Sequence, residues 1–486
     1  MKDIPQIMHN HMISCIMCTY RRFTCVERSI QFWLNQDYKG PMELVIYNTD
    51  VDNPIILGEE IKEKFPEKVK NIKIINNNTN YLTKEDYTNI GDIRRDSLSH
   101  ASGTYYICWD DDDIFLPWNV QQCVDGLQAN PGIWAWKPER SMMWPSNEDP
   151  KICGNAMEAS IIARLDKIKQ YGFIPHQGGG EHLDWMREFS IQHKFHVEKN
   201  SIPGYSFNWA DQGEMRGHKQ SGTIDRPDNF EYHKAHTTDY AKRPIEIFDA
   251  EVVNNIYQIH IRSIIKQVGV TDSLYTVSQE LLDKYVKKYE TNHFNFIEIG
   301  TCDYDTLLEQ LGDTQLGISI EPIKSYQDRL PYKPNVIKVN AAISSEDKDI
   351  DLFHVPLENQ IKHNMPFTRG WGTVEKPHKS HGDPTLLLND GILQKSTIKA
   401  LTFKTLCETY GVRSVDQIKI DAEGHDCIIV NSILDYAKVK PQKISFEQAH
   451  CDKSEVEATN NRLSLLGYQL KNQDTEVDDL IYELEA

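Results

Sequence analysis

Four aspartates, Asp110 to Asp113, stand in a row directly behind the apolar run "TYYICW". A buried strand does not normally run into four carboxylates, so these charges need a cation or a dense set of donors. Side chains of an extended chain alternate faces, which puts Asp110 and Asp112 on one side and Asp111 opposite, the most dispensable of the set. Two hard oxygen ligands on one side suit magnesium or manganese and leave room for substrate phosphates. Arg94 and Arg95, just upstream, carry charge able to neutralise a diphosphate. A calcium loop would spread its ligands over about a dozen residues around a central glycine; here "IFLPW" closes the run at once.

A second constellation lies in the other half of the chain. "FNFIEIGTCDYDT" reads as an apolar strand ending in Glu298 and a tight turn at Gly300, and "LGISIEP" as a second strand ending in Glu321. An acidic residue roughly 20 positions past such a turn is placed to accept hydrogen bonds from a ribose. Cys302 and Asp305 stand where glycines would let a backbone approach a pyrophosphate. S-adenosylmethionine (SAM) has a ribose but no pyrophosphate, and fits this turn better than a dinucleotide.

The elements that must position these residues alternate along the chain. "ISCIMCTY", "MELVIYNTD", "NIKIINN" and "TYYICWD" read as strands, separated by the helix-like stretches "CVERSIQFWLNQ", "ILGEEIKEKF" and "IGDIRRDSLSHA". This alternation predicts an α/β fold with a mostly parallel sheet covered by helices. Ligands of such sheets bind beyond the carboxyl ends of the strands, where "TYRR", "NTD" and "NNN" fall. In the second half "NVIKVNAAIS", "VDQIKIDAEG" and "PQKISFEQAH" continue the same pattern.

Length and charge bound the rest. A chain of 486 residues is too long for one ordinary core and predicts two or three domains. A formal net charge of −19 argues against a general nucleic-acid or anionic-membrane surface, which needs a clustered basic footprint. The ten cysteines are scattered, and Cys15 and Cys18 sit inside an apolar run with no second pair at zinc spacing, so buried strand cysteines are expected. With no apolar leader and no stretch long enough to span a bilayer, the expectation is a cytoplasmic protein without a transmembrane segment.

The series "CTYRR", "YNTD", "SHASGTYYICWDDDDIFLP" and "GGGEHLDWMREF" resembles the family-2 type of glycosyltransferase, with the nucleotide-sugar-binding GT-A fold, across about residues 13–222. The aspartate run looks like that family's DXD motif. The resemblance implies that Thr19, Tyr20 and Arg22 lie near the nucleotide and Asn48 or Asp50 near its base. It makes Asp110 a ligand on the ribose and metal side, Asp112 the principal metal ligand, and His218 a late histidine completing the coordination. At the acceptor-side helix start the family usually shows Glu-Asp, whereas this chain has Glu181-His182. The base that takes the acceptor proton is therefore expected to be Asp184 or Glu181.

From about residue 272 to 486 the chain resembles the FkbM-type methyltransferases, most specifically in "IKIDAEGHD". A Rossmann-like fold binding SAM follows from that resemblance, with Glu298, Gly300, Glu321, Asn340 and Ala341 around the cofactor. Asp421 and Glu423 would stand where cofactor and acceptor meet, with His425, Glu447 and His450 as further polar groups. The insert "MPFTRGWGTVEKPHKSHGDP" is long enough to form an acceptor wall.

The expected organisation is a glycosyltransferase domain over 1–222, a helical linker over 223–271 and a methyltransferase domain over 272–486. His233 and His236 of the linker have no further ligands beside them in sequence. The expected function is bifunctional: metal-dependent, inverting transfer from a nucleotide sugar to a glycan or glycolipid, and O-methylation of a sugar hydroxyl with SAM. The alternative is that one domain is a silent glycan- or partner-binding module.

Overall fold

The computed structural model describes residues 11–485 except 21, 146–147, 156, 174–181, 210–243, 269–276, 291, 304–305, 311–314, 332, 334–335, 366–367, 371, 375–383 and 473–478. The chain forms two compact units, Met1–Glu290 and Thr291–Ala486. Among the described residues no helix is long and apolar enough to cross a membrane.

In the first unit the strands Ile13–Thr19 and Met42–Asn48 are buried along their whole length, as strands covered on both faces must be. Ile13–Thr19 pairs in parallel with Met42–Asn48 on one side and Tyr105–Cys108 on the other. The sheet runs Phe195–Glu198, Ala135–Pro138, Ile162–Arg164, Tyr105–Cys108, Ile13–Thr19, Met42–Asn48, Ile72–Asn76, with Ile162–Arg164 antiparallel to its neighbours. The order reverses between Ile13–Thr19 and Tyr105–Cys108, and at such a switch point the carboxyl ends open a crevice for a ligand. Thr19 and the aspartate run both lie there.

Helices hold that edge in place. Phe23–Leu34 follows the first strand at once and buries Val26, Ile30 and Trp33 at helical spacing. Ile90–Ser97 is capped by the Asn89 side chain, which accepts the Asp92 amide at 2.8 Å, and it carries Arg94 toward the aspartates. Cys15 and Cys18 are buried in their strand, as expected. The helix Ala250–Val268, expected inside the linker, is packed into the first unit: Gln267 accepts the Ile152 amide at 2.9 Å, and His260 meets Trp144 edge to face. His233 and His236 lie outside the described residues.

The second unit has its own sheet, in the order Val336–Val339, Gly317–Ile320, His293–Ile299, Ser414–Ile420, Lys443–Glu447, Asp479–Leu484, Tyr468–Leu470. The first five pair in parallel, and the last two form an antiparallel edge. Its core joins Ile297, Ile318, Ile418 and Ile444 of the sheet to Phe403, Leu406, Val430 and Leu463 of the covering helices. Here the order reverses between His293–Ile299 and Ser414–Ile420, which places Gly300 and Asp421 side by side. "NVIKVNAAIS", expected as one strand, is broken at Asn340: Ala342–Ile343 leaves the main sheet and pairs with Gln394–Leu401.

Candidate functional site

The strand Tyr105–Cys108 ends before the aspartates, which follow in a bend rather than in extended chain. Trp109 pins that bend by stacking on Phe115 with ring centroids 3.8 Å apart. The alternation survives in burial: Asp111 and Asp113 are 1% and 3% exposed and face inward. Asp113 accepts the Asn208 amide at 3.0 Å and the Tyr205 hydroxyl.

Asp111 is not the dispensable member that alternation suggests. Its carboxylate accepts the Thr19 hydroxyl at 2.6 Å and faces the Arg22 guanidinium at 2.9 Å. Burial pushes it up to about 7, against the pull of Arg22. Facing outward against the pull of burial, the Asp110 and Asp112 side chains keep 29% and 20% exposure. Asp112 is 2.7 Å from Arg22, and its carbonyl accepts from Arg28 at 2.6 Å.

Arg94, not Arg95, meets the aspartate run. Its guanidinium lies 3.0 Å from Asp110 and 3.9 Å from the buried carboxylate of Glu158. Glu158 also accepts the Tyr106 hydroxyl at 2.9 Å and stands 3.2 Å from Nδ1 of His182. Arg95 instead pairs with Asp92 and Asp96 of its own helix. Asn48, expected near a base, is 1% exposed and spends its amide on the carbonyls of Asp50 and Asn53 and on Asn76. Asp50 is likewise buried and accepts from Asn53 at 2.7 Å, so this pair orders its own loop.

Asp184 is exposed in the first turn of the helix Leu183–Ile191. Glu181 and His218 lie outside the described residues. The donors fit a hard divalent cation: of the four carboxylates, the two inward ones are buried on protein donors, and Asp110, beside Arg94, and Asp112, beside Arg22, are the two that stay partly exposed.

In the second unit Glu298, Gly300, Cys302, Glu321, Ala341, Asp421, Glu423 and His425 line one cavity, with Gly372 and Val374 of the long insert on its wall. Gly300 has φ of 80°, and a Cβ there would fall 1.8 Å from the Asp421 carbonyl oxygen, so only glycine lets the two strand ends meet. Glu298 is 2% exposed; one oxygen accepts the Leu307 amide at 2.8 Å, and the other has no partner among the described residues. Each oxygen of Glu321 accepts one backbone amide, from Cys302 and from Ile323, both at 2.7 Å. Burial pushes Glu298 and Glu321 up to about 7. Asn340 does not line the cavity; its amide holds the carbonyls of Glu321 and Pro322.

His425 is buried with Nε2 at 3.1 Å from the Ser344 hydroxyl. Glu423 has φ of 49°, and burial with the charges of Asp421 and Glu447 pushes it up to about 7. The ligand atoms of Glu423, Glu447 and His450 lie within 4.8 Å of one another. Sequence reasoning missed Glu158 and Asp426. Asp426 is fully buried and accepts amides from Ala422, Gly424 and Glu447, tying the turn after Ser414–Ile420 to the end of Lys443–Glu447. Its signal was an acid directly after "AEGH"; Glu158, in a short turn, carried no local pattern.

With this geometry in place, the family profile described as "Glycosyl transferase family 2" matches residues 14–181. Over these residues the chain is similar to the family-2 glycosyltransferases. The region contains the whole Thr19, Arg22 and aspartate constellation. No curated protein matches the chain.

Among solved structures, TarS 1-349 of S. aureus is similar at 15% identity, covering 40% of this chain and 60% of that one, with TM-score 0.30. The mannosyltransferase PcManGT of Pyrobaculum calidifontis, in complex with GDP-Man and Mn2+, is 13% identical over 42% of this chain and 59% of that one, TM-score 0.30. Glucosyl-3-phosphoglycerate synthase of Mycobacterium tuberculosis, with Mn2+, UDP and glucosyl-3-phosphoglycerate, is 14% identical over 38% and 69%, TM-score 0.28. The chain spans about 60% of the length of the first of these structures.

Proposed function

We propose that the first unit transfers a sugar from a nucleotide sugar to a glycan or glycolipid hydroxyl, with inversion, and that the second O-methylates a sugar hydroxyl with SAM. The observation supporting the first half is the aspartate loop at the switch point, inside the region matched to the glycosyltransferase family. A divalent cation, Mn2+ or Mg2+, held by Asp110 and Asp112, supplies charge stabilisation for the departing diphosphate. His218 is a proposed third ligand.

The chain's own residues orient the donor. Asp111 anchors Thr19 and Arg22, so that Arg22 presents a fixed cation toward a diphosphate, with Tyr20 of the same segment near the nucleotide. Arg94 holds Asp110 in register from the opposite side. A group at the start of the helix Leu183–Ile191 receives the acceptor proton as the acceptor oxygen bonds to the anomeric carbon.

For the second half the supporting observation is the cavity at the other switch point, with Gly300 against Asp421 and a buried Glu298 oxygen that has no hydrogen-bond partner among the described residues. Glu298 and Glu321 fit a cationic, ribose-bearing cofactor: both are buried carboxylates, and each has a lone pair to spare for a donor. Asp421, Glu423 and His425 line the same cavity and are placed to hold an acceptor hydroxyl and remove its proton. Calorimetry of the full chain with SAM tests this half; no binding at millimolar ligand rejects it.

A further inference from the structure

We infer that Glu423, Glu447 and His450 form a site for a divalent transition ion, manganese or zinc, at the wall of the cavity in the second unit. What the ion does there rests on the methyltransferase reading of this unit, whereas its binding does not.

Nε2 of His450 lies 3.7 Å from a Glu423 oxygen and 4.0 Å from a Glu447 oxygen. Both gaps are too long for hydrogen bonds. They suit ligands of one ion, because two ligands each about 2.1 Å from a metal stand at most about 4.2 Å apart. The three ligand atoms all lie within 4.8 Å of one another, so a small side-chain rotation closes the set. An imidazole facing two carboxylates sets the group apart from a solvated acidic patch. Nitrogen beside oxygen ligands favours manganese or zinc over magnesium or calcium.

The fold holds these side chains together from two neighbouring segments. Glu423 sits in the turn after the strand Ser414–Ile420; Glu447 ends the parallel strand beside it, and His450 follows three residues on. Gly424 lets the two segments meet, since a Cβ there would fall 2.7 Å from the His450 carbonyl oxygen. Buried Asp426 accepts the amides of Gly424 and Glu447, one from each segment. The Cys451 amide donates to the Gln448 carbonyl at 3.1 Å and closes the turn that carries His450. Burial and the charges of Asp421 and Glu447 work against ionised Glu423, and a cation removes that cost. The Glu423 and Glu447 side chains are 19% exposed and that of His450 30%, so an ion reaches them from solvent. Glu423 lines the cavity beside Asp421 and His425. An ion on it therefore offers its remaining coordination positions to hydroxyls of a sugar acceptor.

The test uses the full chain carrying Asp112→Asn, which disables the aspartate loop, stripped of metal and titrated with manganese and, separately, with zinc. Calorimetry should show one equivalent of ion bound per chain. His450→Ala in that background should weaken binding by about 100-fold or more and Glu447→Gln by about 10-fold or more, because even groups behind the ligands are worth about 10–100-fold in affinity. Glu447→Gln keeps the shape of the side chain, so its lost affinity reads ligation rather than misfolding. Pulsed paramagnetic resonance of the bound manganese should show a nitrogen coupling that His450→Ala removes. Binding of neither ion, or binding that both substitutions leave unmoved, overturns the inference. Titration with SAM in the presence of a chelator runs alongside, since Glu298 and Glu321 lie outside the ligand set. SAM binding in a chain that takes up no ion overturns the ion site and leaves the methyltransferase reading intact; ion binding in a chain that takes up no SAM overturns that reading and leaves the ion site intact.

Discussion

Arg22 places its guanidinium 2.7 Å from the Asp112 carboxylate, and the same side chain stands 2.9 Å from the buried Asp111. One cation therefore links the inward half of the aspartate loop to the outward half. Were a divalent cation held by Asp112, that carboxylate would be shared, and the Arg22 arm paired with it would be available to a diphosphate. Arg22→Gln should weaken UDP or GDP binding by about tenfold or more, since a hydrogen bond to a charged group is worth roughly 1.5–3 kcal/mol. Isothermal titration in the presence of manganese measures it.

Asp111 and Asp112 should fail in different ways. Asp111→Ala strands the Thr19 hydroxyl and one arm of Arg22 in the interior, and should cost about 3 kcal/mol of stability in urea unfolding. Asp112→Ala removes a partly exposed carboxylate and should cost less than about 1 kcal/mol. Equal destabilisation by the two would contradict the division into inward and outward carboxylates.

Gly300→Ala tests the second switch point. A methyl group there meets the Asp421 carbonyl oxygen, and the backbone has φ of 80°, so the two strand ends must move apart. The expected outcome is a loss of about 3 kcal/mol or more, with the lower-melting transition in calorimetry belonging to the second unit.

The cavity carboxylates predict a pH dependence. Glu298 and Glu321 are raised from the ordinary 4.5 to about 7 by burial. Between those values the folded chain binds more protons than the unfolded one. Their contribution to stability is therefore full below about 4.5 and is lost as pH rises through about 7. A cationic ligand acts in the opposite sense, because it meets two carboxylates only once they ionise. SAM should bind more tightly at pH 8 than at pH 5.5, and calorimetry at the two pH values reads the difference.

Much of both folds was legible because the strands are apolar runs of fixed length ending in polar residues. Ile13–Thr19, Met42–Asn48 and His293–Ile299 sit where the pattern put them. The roles of Arg94 and Arg95 were not legible: adjacent residues on one helix point about 100° apart, and only the packed helix Ile90–Ser97 decides which one reaches Asp110. A polar residue at a strand end serves a ligand or its own loop equally well in sequence, and Asn48 and Asp50 make hydrogen bonds to Asn53 and Asn76 that carried no signal in the sequence. Glu158 could not be read at all, because its partners Arg94, Tyr106 and His182 come from distant segments.

The central claim, metal-dependent nucleotide-sugar chemistry at the aspartate loop, is tested most directly by nucleotide release from UDP- and GDP-sugars with manganese, comparing wild type with Asp112→Asn. The account predicts turnover of at least one donor, abolished by chelation and reduced about 100-fold or more by the substitution. Turnover that survives both chelation and Asp112→Asn would contradict it.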